Sequence, residues 1–198
     1  ALDPIPYTDT TTFYVPPTIS LLGGYQQNQL LYKFILTLHW GFHFLGTFKI
    51  CADGGKPHSV NSAHEVGDPA ERMVLSDFFS ALENPDLATD LFFLIETHRV
   101  MNWLKEDLPG LTNEFVQLKS ELLRALDYPE LGTVSSKLTQ LCCFLLFNEE
   151  KPQWLKNIKI SPAIFLNPSR EDSVPLLNVL YEHLAEPGEL YRRPPLLV

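Results

Sequence analysis

Sulfur is scarce in this chain: 198 residues carry three cysteines, Cys51, Cys142 and Cys143. An odd count with no framework spacing excludes a disulfide scaffold. The neighbours Cys142 and Cys143 are poorly placed to bridge each other, because a bond between adjacent residues closes a strained eight-membered ring. Thiol usage of this kind predicts reduced cysteines and a cytoplasmic location. The N-terminal stretch ALDPIPYTDT has neither a basic region nor an apolar run, so no signal peptide is read within it. Positive charge is also in deficit. Fifteen Lys and Arg face 24 Asp and Glu, for a net charge of −9. That balance argues against a nucleic-acid partner, which requires a lysine and arginine footprint.

Long uncharged apolar runs are missing as well. The most apolar stretch, 30–52, is interrupted by Lys33, Lys49, His39, His43 and two glycines. A membrane span needs about 20 consecutive apolar residues, so none is expected. The motifs that announce common chemistry are likewise absent. There is no GxxxxGK[ST] phosphate loop, no GxGxxG turn, no GxSxG elbow and no CxxC pair. No cofactor is called for. His64-Glu65-Val66-Gly67-Asp68 begins like HExxH but lacks the second histidine, and without a ligand on the next helical turn there is no zinc grip.

What is present is ordinary globular composition, 45% hydrophobic and 20% charged, consistent with one domain over 1–198. The charge is concentrated. Residues 1–66 carry 3 basic and 4 acidic side chains, residues 67–150 carry 6 and 15, and residues 151–198 carry 6 and 5. All the net acidity therefore lies in the middle segment.

Four regions follow. Residues 1–25 read as an extended arm, since Pro4, Pro6, Pro16 and Pro17 oppose helix. Residues 26–66 read as β-rich. The even positions Phe34, Leu36, Leu38, Trp40, Phe42 and Phe44 are apolar throughout, a period-two pattern that predicts a strand or a hairpin bent at Gly41 or Gly46. A helix here requires both glycines to be accommodated inside it. Residues 67–150 have helical grammar. Asp68-Pro69 is a start signal, Asn84-Pro85 another, Thr112 a cap, and Val134, Leu138, Leu141 and Leu145 follow helical spacing. About four helices over 69–148 are predicted. Residues 151–198 are mixed, with strand candidates at 158–160 and 163–166, a helix over 173–185 and a basic, proline-bearing tail. The fold class expected is α+β, with the helices and a C-terminal helix packed on a small antiparallel sheet built from 34–50 and parts of 13–15 and 158–166.

Two functional readings compete. The leading one is a non-catalytic, protein-binding adaptor or chaperone-like subunit. Helix-forming residues 85–104 carry Phe92, Phe93, Val100 and Trp103 partly off the main apolar stripe, and Leu141–Phe147 is apolar on every side. A helix apolar all round is either central or docked on another chain. The predicted partner-binding residues are Phe92, Phe93, Val100, Trp103 and Phe147, together with Tyr191, Leu196 and Leu197 in the tail. The alternative is a small metal-dependent or Cys/His hydrolase using His39, His43, His58 or His64 with Cys51 or Asp53. On a strand, His39 and His43 stand about 13 Å apart, too far for one ion, so the strand reading weakens a metal site. No metal is therefore assigned.

Overall fold

Helix dominates where alternation predicts strand. The computed structural model describes residues 7–8, 12–49, 52–53, 72–73, 75–126, 133–160, 169–186, 188–189 and 191–193. Among them the helices are α1 (Tyr25–Phe44), α2 (Leu75–Ser80), α3 (Pro85–Asp107), α4 (Pro109–Phe115), α5 (Lys119–Leu126), α6 (Thr133–Phe147), α7 (Gln153–Lys156) and α8 (Ser173–Leu184), with 3-10 turns at Thr47–Lys49, Val116–Leu118 and Arg170–Asp172. Among the described residues, strand is confined to two antiparallel pairings of two residues each, Tyr7–Thr8 with Phe13–Tyr14 and Ala52–Asp53 with Arg72–Met73. The protein is mostly helical, and the expected α+β architecture with a packed antiparallel sheet is overturned. The strand candidate 163–166 and the Asp68-Pro69 start signal lie outside the described residues; 158–160 forms no strand.

The two glycines explain why 25–44 is a helix. Gly41 lies in its interior and is buried, against Val100 of α3. A Cβ built there would stand 2.4 Å from Val100 Cγ1. Glycine therefore serves close approach of two helices, not a strand bend. Gly46 has φ +71°, the left-handed conformation that ends helices, and its amide donates to the carbonyl of His43 at 3.2 Å. Gly41→Ala is expected to cost about 1–3 kcal/mol through overpacking. Urea unfolding of the variant checks this; an unchanged midpoint would show that α1 and α3 can separate freely here.

The remaining boundaries follow local signals. Asn84 caps α3, accepting from the Leu87 amide at 3.1 Å, with Pro85 in the first turn. Pro109 ends α3 and starts α4 at once, so Thr112 falls inside α4 and its hydroxyl donates to the Pro109 carbonyl at 3.0 Å.

Helix α3 is the central element. Its buried side chains include Leu87, Leu91, Phe92, Leu94, Ile95, Val100 and Leu104, covering every side of the helix. Around it, the main core joins α2, α6, α7 and α8 through residues such as Leu138, Leu141, Leu155, Leu177 and Leu180. Two smaller cores attach α1. Leu31 packs with Leu118 and Leu122, and Phe42 packs with Val100 and Leu104.

One buried polar cluster pins three elements to one another. The Glu96 carboxylate, fully buried on α3, accepts from Thr47 Oγ1 at 2.5 Å and from Ser173 Oγ at 2.5 Å. Arg99 donates to the same carboxylate through Nε and Nη2 and reaches the hydroxyl of Thr47 and the carbonyl of Leu45. The end of α1, the centre of α3 and the start of α8 are thereby fixed through one charge pair.

Candidate partner-binding surface

Twenty helical residues make α1 about 30 Å long, and its outward ridge changes character along that length. Gln29 and Lys33 are exposed near the N-terminal end. Leu36, Trp40 and Phe44 then follow at i, i+4 and i+8, spacing that keeps them on one face. They are 38%, 48% and 62% exposed. Across from them, half-buried Trp103 projects from α3. The three large rings contact each other: Trp40 and Phe44 at 5.3 Å between centroids, Trp40 and Trp103 at 5.3 Å, and Phe44 and Trp103 at 5.0 Å. The cluster exists because Gly41 lets α1 and α3 approach, bringing the outer rings of both helices within stacking reach.

Of the residues expected to bind a partner, Trp103 alone belongs to this cluster. Phe92 is 1% exposed and its ring meets those of Phe79, tilted, and Phe93, edge-on, at 5.4 and 5.6 Å between centroids. Val100 is fully buried beneath Gly41. Phe93 is half-buried and packs on Phe42 at 5.8 Å. Phe147 bridges the main core and the Leu31 cluster. Phe92 and Val100 therefore belong to the interior of this chain, because α3 is central rather than docked outward. Tyr191 donates its hydroxyl to Asp90 at 2.6 Å and is occupied within the fold. Leu196 and Leu197 lie outside the described residues.

Trp40 and Phe44 were not legible as surface residues from alternation, which places Phe34 to Phe44 on one common face. The signal that finds them is the i, i+4, i+8 spacing of Leu36, Trp40 and Phe44.

The histidines fall differently as well. In α1, His39 and His43 are one turn apart and share a face, not separated as on a strand. The ring of Phe13 stands edge-on to His39 at 4.0 Å and to His43 at 6.1 Å, and His39 Nδ1 is buried without a hydrogen-bond partner. Among the described residues no group of three or more His, Cys, Asp or Glu is placed to hold a metal ion. Cys51, His58 and His64 lie outside the described residues, and Asp53 sits in the short pairing opposite Arg72. Cys142 and Cys143 are free thiols. Burial pushes both upward in pKa, which opposes formation of the reactive thiolate.

Burial, with the nearby charge of His43, holds His39 down to about 4 from its ordinary 6.5. Between those values the unfolded chain binds more protons at this site than the folded one. His39 therefore supports the fold fully above pH 6.5, and that support is lost as pH falls from 6.5 toward 4. After discounting for partial exposure, the loss is about 1 kcal/mol. Urea midpoints at pH 7 and pH 4.5 check it. The drop should shrink in His39→Gln; an identical drop in both proteins would assign it elsewhere.

No helix among the described residues is long and apolar enough to cross a membrane. Comparison with protein-family models, with curated proteins and with solved structures finds no match for this chain.

Proposed function

We propose that this protein is a non-catalytic, protein-binding subunit that holds a partner polypeptide on the aromatic ridge of Leu36, Trp40, Phe44 and Trp103. One observation carries the reading: Phe44 stacks on both Trp40 and Trp103, whose own rings meet at a tilt, while Trp40 and Phe44 remain about half exposed. Large rings left in water cost free energy that burial against a partner returns, at roughly 25 cal/mol per Å² of apolar area. Because the rings are already in mutual contact, little side-chain freedom is lost on binding. Aromatic anchors of this kind dominate measured binding energies. The acidic surface elsewhere, net −9 over the chain, keeps copies apart and disfavours acidic partners. Cysteine usage supports a cytoplasmic setting for this role.

The test is quantitative capture of the partner by wild type and by a Trp40→Ser/Phe44→Ser double variant. The variant should retain the fold, since neither ring lies in a core cluster, and should bind about 100-fold more weakly. Equal binding by both proteins would remove the ridge from the interface.

A further inference from the structure

We infer that the segment seated on the ridge of Leu36, Trp40, Phe44 and Trp103 is an amphipathic helix whose apolar side chains are flanked by arginines. The inference rests on the ridge reading above and adds the chemistry of the occupant.

The backbone of the ridge selects a helix. From Leu36 to Phe44 the row runs about 12 Å along α1 at 1.5 Å per residue, which matches about two turns of a second helix. Side chains four residues apart form the kind of row that packs between the corresponding rows of a facing helix. An extended peptide is poorly served here. The amides and carbonyls of α1 are bonded within the helix, so a strand laid on it would leave its own backbone groups unpaired.

Charge selects the flanking residues. Glu106 and Asp107 follow Trp103 by three and four residues, which puts them on its side of α3 one turn further on. Both are exposed, and neither is ion-paired among the described residues. The basic groups nearby do not answer them. Arg99 is held in the interior by Glu96, and Lys33 is paired with Glu114 at 2.5 Å. Lys105 stands two residues from Trp103, on the other side of α3. Arginine suits this border because one guanidinium can lie on an aromatic face and fork to a carboxylate. It must do so from outside, since ring centroids 5.0 to 5.3 Å apart leave no room for a cation between them. A second copy of the chain would double the carboxylates at the contact, and an anionic membrane surface would repel them. Border charges of this kind set partner choice and association rate, while apolar burial sets retention.

The probes are two synthetic helical peptides about five turns long, with one leucine stripe in common, flanked by arginine in one and by glutamate in the other. Anisotropy of the labelled peptides reads their binding to the full chain. The arginine peptide should bind at least about tenfold more tightly. Glu106→Gln/Asp107→Asn should remove most of that preference. Asp77→Asn/Glu182→Gln, an equal charge change at exposed sites on α2 and α8, should leave it intact. A preference that persists in Glu106→Gln/Asp107→Asn would assign it to net charge and overturn the inference. Equal binding of both peptides, lost in Trp40→Ser/Phe44→Ser, would keep the ridge as a docking site and overturn the arginine requirement alone. Binding of neither peptide, or binding that survives Trp40→Ser/Phe44→Ser, would overturn both. Self-association of the chain, or adsorption to phosphatidylserine vesicles, would overturn the inference in favour of a different occupant if abolished by that same variant.

Discussion

Glu96→Ala is expected to be among the most destabilising single substitutions in the described fold, at about 3–5 kcal/mol. The carboxylate is fully buried and receives hydrogen bonds from Thr47, Ser173 and Arg99. Removing it leaves the Arg99 guanidinium, 8% exposed, without its counter-charge, and strands two hydroxyl donors. An uncompensated buried cation is among the costliest single defects. Replacing both members of the pair is a different experiment. Glu96→Leu with Arg99→Met removes the desolvation cost of two charges together, and should be less destabilising than Glu96→Ala alone. Chemical denaturation of the three proteins measures the difference. If the double variant is the less stable, the pair contributes net attraction that outweighs the desolvation of its two charges.

The second large effect concerns binding. Trp40→Ser/Phe44→Ser is expected to weaken partner capture by about 100-fold while moving the unfolding midpoint little. Phe92→Ala should do the reverse. Phe92 is 1% exposed within the main core, and its truncation is expected to cost about 3–5 kcal/mol. Binding per folded molecule should then be retained. The two experiments separate a ring used in the interior from rings offered at the surface. Comparable stability losses in both proteins would place Trp40 and Phe44 within the structural core and leave the ridge without a binding role.

Helical starts and stops were the most legible features. Asn84-Pro85 caps and opens α3 as its chemistry dictates, and Pro109 ends it. That the apolar residues of α3 cover more than one face was legible, but this left two outcomes open, a central helix or one docked on another chain. The region 34–50 was misleading for a physical reason. Apolar residues at every even position from Phe34 to Phe44 satisfy a strand, yet Phe34, Leu38 and Phe42 also share a helical face, as do Leu36, Trp40 and Phe44. The deciding information was tertiary. Gly41 weakens a helix in isolation, but against Val100 it permits a contact that no larger residue allows. Local propensity contains no trace of that partner 59 residues away. The same error concealed the candidate site, since Trp40 and Phe44 emerge at the surface only once the chain is wound into a helix. Conversely, the sequence alone makes Phe92 and Val100 look available, because a helix with two apolar faces seen in isolation has one to spare. The neighbours α1, α2, α6 and α8 use both.

The proposed role requires the ridge of Leu36, Trp40, Phe44 and Trp103 to hold another polypeptide. Affinity purification of the tagged full chain from its native lysate, at low and at high salt, with mass-spectrometric identification of the bound material, tests it most directly. A stoichiometric partner that survives high salt, and is lost from the Trp40→Ser/Phe44→Ser protein, is the predicted result. Salt screens charge contacts but not apolar burial, so survival of the complex identifies the kind of contact as well as its existence. A clean monomer at both salt concentrations would contradict the claim.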